Sequence, residues 1–199
     1  IIAVVAIGVG LGGRAGVARG RLRRFAPRAA EAAARQTYPG YLDAEAYTRA
    51  IVETGASPDA KATLARLTAA IFFEYGELAA EARARVAAVA DDPGPDAAKA
   101  RVYLALATSG DAERRGVARE LASRLPDDAD ALYLHGRALF ADFELSGAID
   151  AFRRSSALRA TPLASLATAW VLAARGDREA ARTAVAGALA AFGRDRVAV

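Results

Sequence analysis

The chain has 199 residues, 54% of them hydrophobic and 25% charged, the proportions of a folded domain and not of a disordered segment. It has no Cys and no Met, which excludes disulfide stapling, thiolate metal sites and a Cys nucleophile. Its formal charge of +4 is unevenly spread: residues 1–35 carry seven Arg against Glu31 alone and the remainder is slightly acidic, so the continuous basic surface of a nucleic-acid binder is not indicated.

Alanine dominates the apolar set, and its low entropic cost in a helix makes an all-α fold the expected class. Lys61 and Lys99 are the only lysines, a bias that points to GC-rich, bacterial coding.

The first element is the uncharged run Ile1–Gly13, followed at once by Arg14, Arg19, Arg21, Arg23 and Arg24. A membrane-spanning helix needs about 20 apolar residues, so the run spans a bilayer only if its beginning lies upstream of Ile1. Arginines directly after an apolar run hold that flank on the cytoplasmic side. Residues 1–24 are therefore expected to form a single-pass anchor in a bacterial inner membrane. The following domain would be cytoplasmic, or periplasmic if further basic residues precede Ile1. Gly8, Gly12, Gly16 and Gly20 recur every fourth residue, a small-residue face suited to self-association of such helices. Two other readings compete. Gly8-x-Gly10-x-x-Gly13 matches a dinucleotide fingerprint, although the helical stretch around Glu31 stands where a Rossmann unit needs a second strand. A signal peptide or a buried first helix is the third, with the Arg cluster on the wrong flank for a signal peptide.

From residue 25 onward helical stretches alternate with breakers at Pro39-Gly40, Gly55–Pro58, Asp91–Pro95, Pro126–Asp128 and Thr161-Pro162. Pro27–Gln36 and Asp43–Gly55 read as a degenerate first pair. Ser57-Pro58-Asp59 reads as a cap with Pro at the first helical position. Turn pairs recur at Gly76-Glu77, Gly110-Asp111, Phe143-Glu144 and Gly176-Asp177, at intervals expected of stacked helix-turn-helix units. In Ala129–Ala160 the stripe Leu132, His135, Gly136, Leu139 marks a first helix, and Ala148, Ile149, Phe152 mark its partner.

Gly136, Ala148, the preceding Leu125–Asp130 turn and the run Gly176-Asp177-Arg178-Glu179-Ala180-Ala181 resemble the corresponding parts of tetratricopeptide repeats, over roughly residues 27–193. The copies Pro58–Val89 and Pro95–Leu125 depart from the pattern, with Tyr103 in a small-residue place, the second-helix small residue slipped to Ala82 and Gly116, and Phe143 replacing a turn glycine. The resemblance implies an all-α solenoid of antiparallel helix pairs over residues 25–199. It also implies a non-catalytic scaffold whose groove, lined by the first helix of each repeat, receives a peptide or helix of a partner protein. A regulatory or sensory region of a larger membrane-attached enzyme, such as a protein kinase, is the alternative.

With Leu132, Gly136 and Leu139 taken by packing, Tyr133, Arg137 and Phe140 fall together on a neighbouring face. The same register adds Trp170 from the next unit and Arg66 and Phe73 from an earlier one. Aromatics and Arg dominate partner binding, so these six are the expected partner-binding residues. Packing between repeats is the competing role for the aromatics. His135 is expected to pack, half-buried. Asp91, Asp92, Asp127, Asp128 and Asp130 are expected as caps and turn residues, and Ser155 and Ser156 as part of a solvated face. No Gly-x-Ser-x-Gly nucleophile turn is present. No metal and no cofactor are expected.

Overall fold

A computed structural model describes residues 2–55, 57 and 59–193, and for residues 2–17 it gives the helical course alone. The described chain is all-α: α1 (Ile2–Ala34), α2 (Tyr38–Val52), α3 (Ala60–Tyr75), α4 (Ala79–Ala87), α5 (Pro95–Thr108), α6 (Asp111–Arg124), α7 (Ala129–Ala141), α8 (Leu145–Leu158), α9 (Pro162–Ala174) and α10 (Arg178–Phe192). Consecutive helices pair antiparallel and the pairs stack into a solenoid-like array, consistent in general terms with a tetratricopeptide-like fold.

Local chemistry sets the helix starts. Thr37, Asp128, Thr161 and Asp177 each accept a hydrogen bond from the backbone N–H three residues on, opening α2, α7, α9 and α10. Pro39 and Pro162 stand in first turns, where a missing N–H costs nothing. The cap expected at Ser57-Pro58 is replaced by Asp59, which precedes α3 without a side-chain capping bond, and Pro58 lies outside the described residues.

The N-terminal expectation is corrected. Among the described residues no helix is long and apolar enough to cross a membrane. The expected transmembrane helix, the membrane as a partner and the inner-membrane localisation are overturned by that finding. Helix α1 runs unbroken for 33 residues with Pro27 inside it, so no separate first helix begins at Pro27. Its arginine-bearing half belongs to the helix array: Ala29 and Ala32 are buried, and Phe25 stacks on Tyr47 of α2 with ring centroids 5.8 Å apart. Alanines on that face let two helices lie close. The backbone through Gly8, Gly10 and Gly13 is helical, not the strand and turn that a dinucleotide site needs. Gly8, Gly12 and Gly16 of the proposed self-association face fall outside the residues whose surroundings are described, and Gly20 is exposed.

The larger of two hydrophobic clusters runs from Ala32 and Tyr41 through every later pair to Ala181, and Leu166, Ala188 and Phe192 form the smaller one. Two helices approach closely at Gly136, where a Cβ would stand 2.6 Å from the Phe152 ring. Phe152 is fully buried, and burying such a side chain contributes about 1.5–3 kcal/mol. Gly116 has no such role, being exposed with nothing near a Cβ, and Ala118 is the buried small residue of α6. The last described helix is α10, whose buried residues are Ala181 and Ala188. Arg182, one repeat after the buried Ile149, is 76% exposed and paired with Glu179.

Candidate partner-binding face

Helices α3, α7 and α9 bring their side chains together around a single guanidinium. Tyr133 and Arg137 are one turn apart on α7 and share a face. Phe73 and Glu74 come from the last turn of α3, and Trp170 from α9. The Arg137 guanidinium lies 4.3 Å from the Phe73 ring centroid, 5.6 Å from that of Tyr133 and 5.6 Å from that of Trp170. Such cation–π contacts strengthen as water is removed.

Glu74 holds this group in place. Arg137 Nη1 donates to Glu74 Oε2 at 2.7 Å and also to the Tyr133 hydroxyl, while Tyr133 donates to Glu74 Oε1 at 2.8 Å. The Glu74 side chain is 5% exposed, so both carboxylate oxygens are satisfied out of water. Burial pushes the Tyr133 phenol well above the ordinary tyrosine value, and the Glu74 charge adds to it. Burial works against the charge on Arg137, but Tyr133 and Glu74 outweigh it and hold the guanidinium above its usual range. Arg137 spends one nitrogen on these bonds. Its Nε and Nη2 make none with the described residues and are not fully buried.

Two depressions flank the cluster. One, of about 360 Å³, is lined by Phe73, Leu106, Phe140 and Ala174 with Phe143, Arg114 and Arg137. The other, of about 460 Å³, lies between α9 and α10 and is lined by Ala169, Trp170, Ala173, Val185 and Leu189 among others. Trp170, 40% exposed, touches Arg137 on one side and lines the second depression on the other. Phe143 stands 80% exposed in the turn between α7 and α8.

The six residues expected from sequence fall in two places. Phe73, Tyr133, Arg137, Phe140 and Trp170 gather here, with Tyr133 only 3% exposed and therefore a support and not a contact surface. Arg66 lies elsewhere. Its Nε is 3.0 Å from Asp96 at the start of α5, Thr63 donates to the same carboxylate at 2.7 Å, and Arg66 lines a separate cavity of about 230 Å³ between α1, α2 and α3. The charge expected to face a partner is engaged in joining two repeats.

Lys99 repeats that arrangement one unit later. It is buried, 2.6 Å from Asp128 and 3.6 Å from Asp130 at the start of α7. Burial works against ionisation of Asp128, yet Lys99 and the Ala131 N–H outweigh it and hold this carboxyl below its usual value. Lys99 and Glu74 are the supporting residues that pattern reasoning passed over. Lys99 carried a signal, since it follows Arg66 at the repeat interval. Glu74 carried none beyond its place beside Phe73. Ser155 is buried and donates to the Ala129 carbonyl at 2.7 Å, which corrects its assignment to a solvated face. His135 is half-buried. Among the described residues no group of three or more His, Asp and Glu is placed to hold a metal ion.

No family model matches this chain, and no curated protein or solved structure matches it either. Fold and face together define an all-helical, scaffold-like architecture of stacked helix pairs, compatible with protein–protein interaction.

Proposed function

We propose that the chain is a non-catalytic protein–protein interaction scaffold of the tetratricopeptide type, and that it holds a peptide or helix of a partner against the face formed by α7 and α9. The observation that carries this reading is the gathering of Phe73, Arg137 and Trp170, from three helices distant in sequence, at one surface cluster. An apolar residue such as Trp170 left 40% exposed beside a cation gives no stability comparable to its burial, whereas Trp and Arg are the side chains most often found at the centre of interfaces.

The test is site-specific photo-crosslinking in cells expressing the full chain. A benzophenone side chain placed at Ala173, in the α9/α10 depression, is expected to yield a discrete adduct that Trp170→Ala abolishes. The same group at Glu120, on exposed α6, is expected to yield none. Equal labelling from both positions would end the proposal.

A further inference from the structure

Phe143 is a bulky residue in a conformation that bulky residues avoid. Its φ is 59°, in the left-handed region where a Cβ clashes with the neighbouring carbonyl. Gly176 occupies the matching turn of the next pair at φ 88°. Leu78 is also left-handed, at φ 61°, but packs against the core, and that contact offsets the strain. Phe143 has no such return, since 80% of it is exposed. Strain without burial at one residue, beside an open depression, is the pattern of a position kept for contact and not for folding.

The depression that Phe143 borders is lined by apolar side chains and two arginines. Phe73, Leu106 and Phe140 are its larger apolar lining residues besides Phe143. Arg114 and Arg137 are its charged lining residues, and no carboxylate lines it. Arg114 is already bonded to Asp111 and Asp142. Arg137 Nε and Nη2 make no bond with the described residues and are not fully buried, and together they form an edge with the donor geometry that a carboxylate takes.

We infer that this depression receives one large apolar side chain of a partner protein, covered by the Phe143 ring, with a neighbouring Asp or Glu of the same segment bonded to the free edge of Arg137. The inference rests on the scaffold reading above and gives it a partner chemistry: an acidic segment with an aromatic or leucine anchor. Asp111, Asp142 and Glu74 already balance the two guanidiniums, so the preference for an acidic segment comes from the Arg137 edge, which a basic or uncharged segment would leave without a carboxylate partner.

The experiment pans a phage-displayed random peptide library on the full chain, then measures synthetic versions of the enriched peptides. Enriched sequences are expected to place Phe, Trp, Tyr or Leu within about two positions of Asp or Glu. Their affinity is expected to fall about ten-fold or more on Phe143→Gly, on Phe143→Asn, and on replacing the peptide's own carboxylate by its amide. Gly and Asn both tolerate the left-handed turn, so neither loss would report unfolding. Enriched peptides that lack a carboxylate, or that bind both Phe143 variants as tightly as the parent, overturn the inference. If those peptides instead lose binding on Trp170→Ala, the scaffold reading stands without it. No enrichment of any sequence counts against both.

Discussion

Arg137 of α7 and Glu74 of α3 form an ion pair at 2.7 Å that reaches across the intervening α5. Neighbouring repeats in a solenoid usually contact only each other, so a bond that skips one fixes the angle between three successive units. Glu74→Ala would leave Arg137 and the Tyr133 hydroxyl without their acceptor. Removing one partner of a mostly buried pair costs about 3–5 kcal/mol, and the 18% exposure of Arg137 places the expected loss near the lower end, about 3 kcal/mol. Urea titration of the variant measures it. A double-mutant cycle with Arg137→Ala should return a coupling of at least about 0.5 kcal/mol, and strict additivity would show that the pair does not bind the units together.

Gly136→Ala should destabilise by about 1–3 kcal/mol, because the new Cβ meets the Phe152 ring at 2.6 Å. Trimming the obstacle with Phe152→Leu in the same chain should recover part of the loss. Gly187→Ala in α10 is the control: nothing lies within 4 Å of its Cβ, and the exchange should stabilise by about 0.5–1 kcal/mol through the lower entropic cost of Ala in a helix. Thermal melts of the three variants should rank in that order, and equal destabilisation at positions 136 and 187 would refute the close approach of α7 and α8.

Phe143→Gly should raise stability by about 0.5–1 kcal/mol, since relief of about 1–2 kcal/mol of left-handed strain at a side chain that buries little is partly offset by the greater freedom of Gly in the unfolded chain. This opposes its expected effect on partner affinity.

Stability should decline as pH falls below the ordinary histidine value of 6.5. Burial lowers the His135 pKa, and Arg119 and Arg154 lower it further against the opposing Glu144. A folded-state pKa below the unfolded one means the unfolded chain binds the proton first, so the stabilisation is present above 6.5 and lost as pH drops through the folded value. Urea midpoints at pH 7 and pH 5 should differ more for the parent than for His135→Gln.

The later pairs were legible because each combines a turn signal with an apolar stripe: Leu132, Gly136 and Leu139 identify their face by spacing alone, and Asp128 and Asp177 identify where helices begin. Helix α1 was not legible. Hydropathy singles out Ile1–Gly13 as a segment of its own, while the Ala29 and Ala32 face that docks the same helix on α2 has no contrast for periodicity to find. Pro27 misled in the same region, since the flanking helix continues through it. At the candidate face, helical spacing placed Tyr133, Arg137 and Phe140 on one side of α7. What spacing cannot encode is the meeting of α3 with α7, which depends on the angles between repeats. For the same reason Arg66 read as a free cation, although Asp96 stands 3.0 Å away at the start of the next pair.

Trp170 is the chain's single tryptophan, and it stands partly in solvent against the Arg137 guanidinium, on the edge of the α9/α10 depression. Selective tryptophan excitation therefore interrogates this one locality and nothing else in the molecule. A segment settling over α9 would exclude water from the indole and blue-shift its emission, so the protein carries its own unlabelled optical reporter of occupancy.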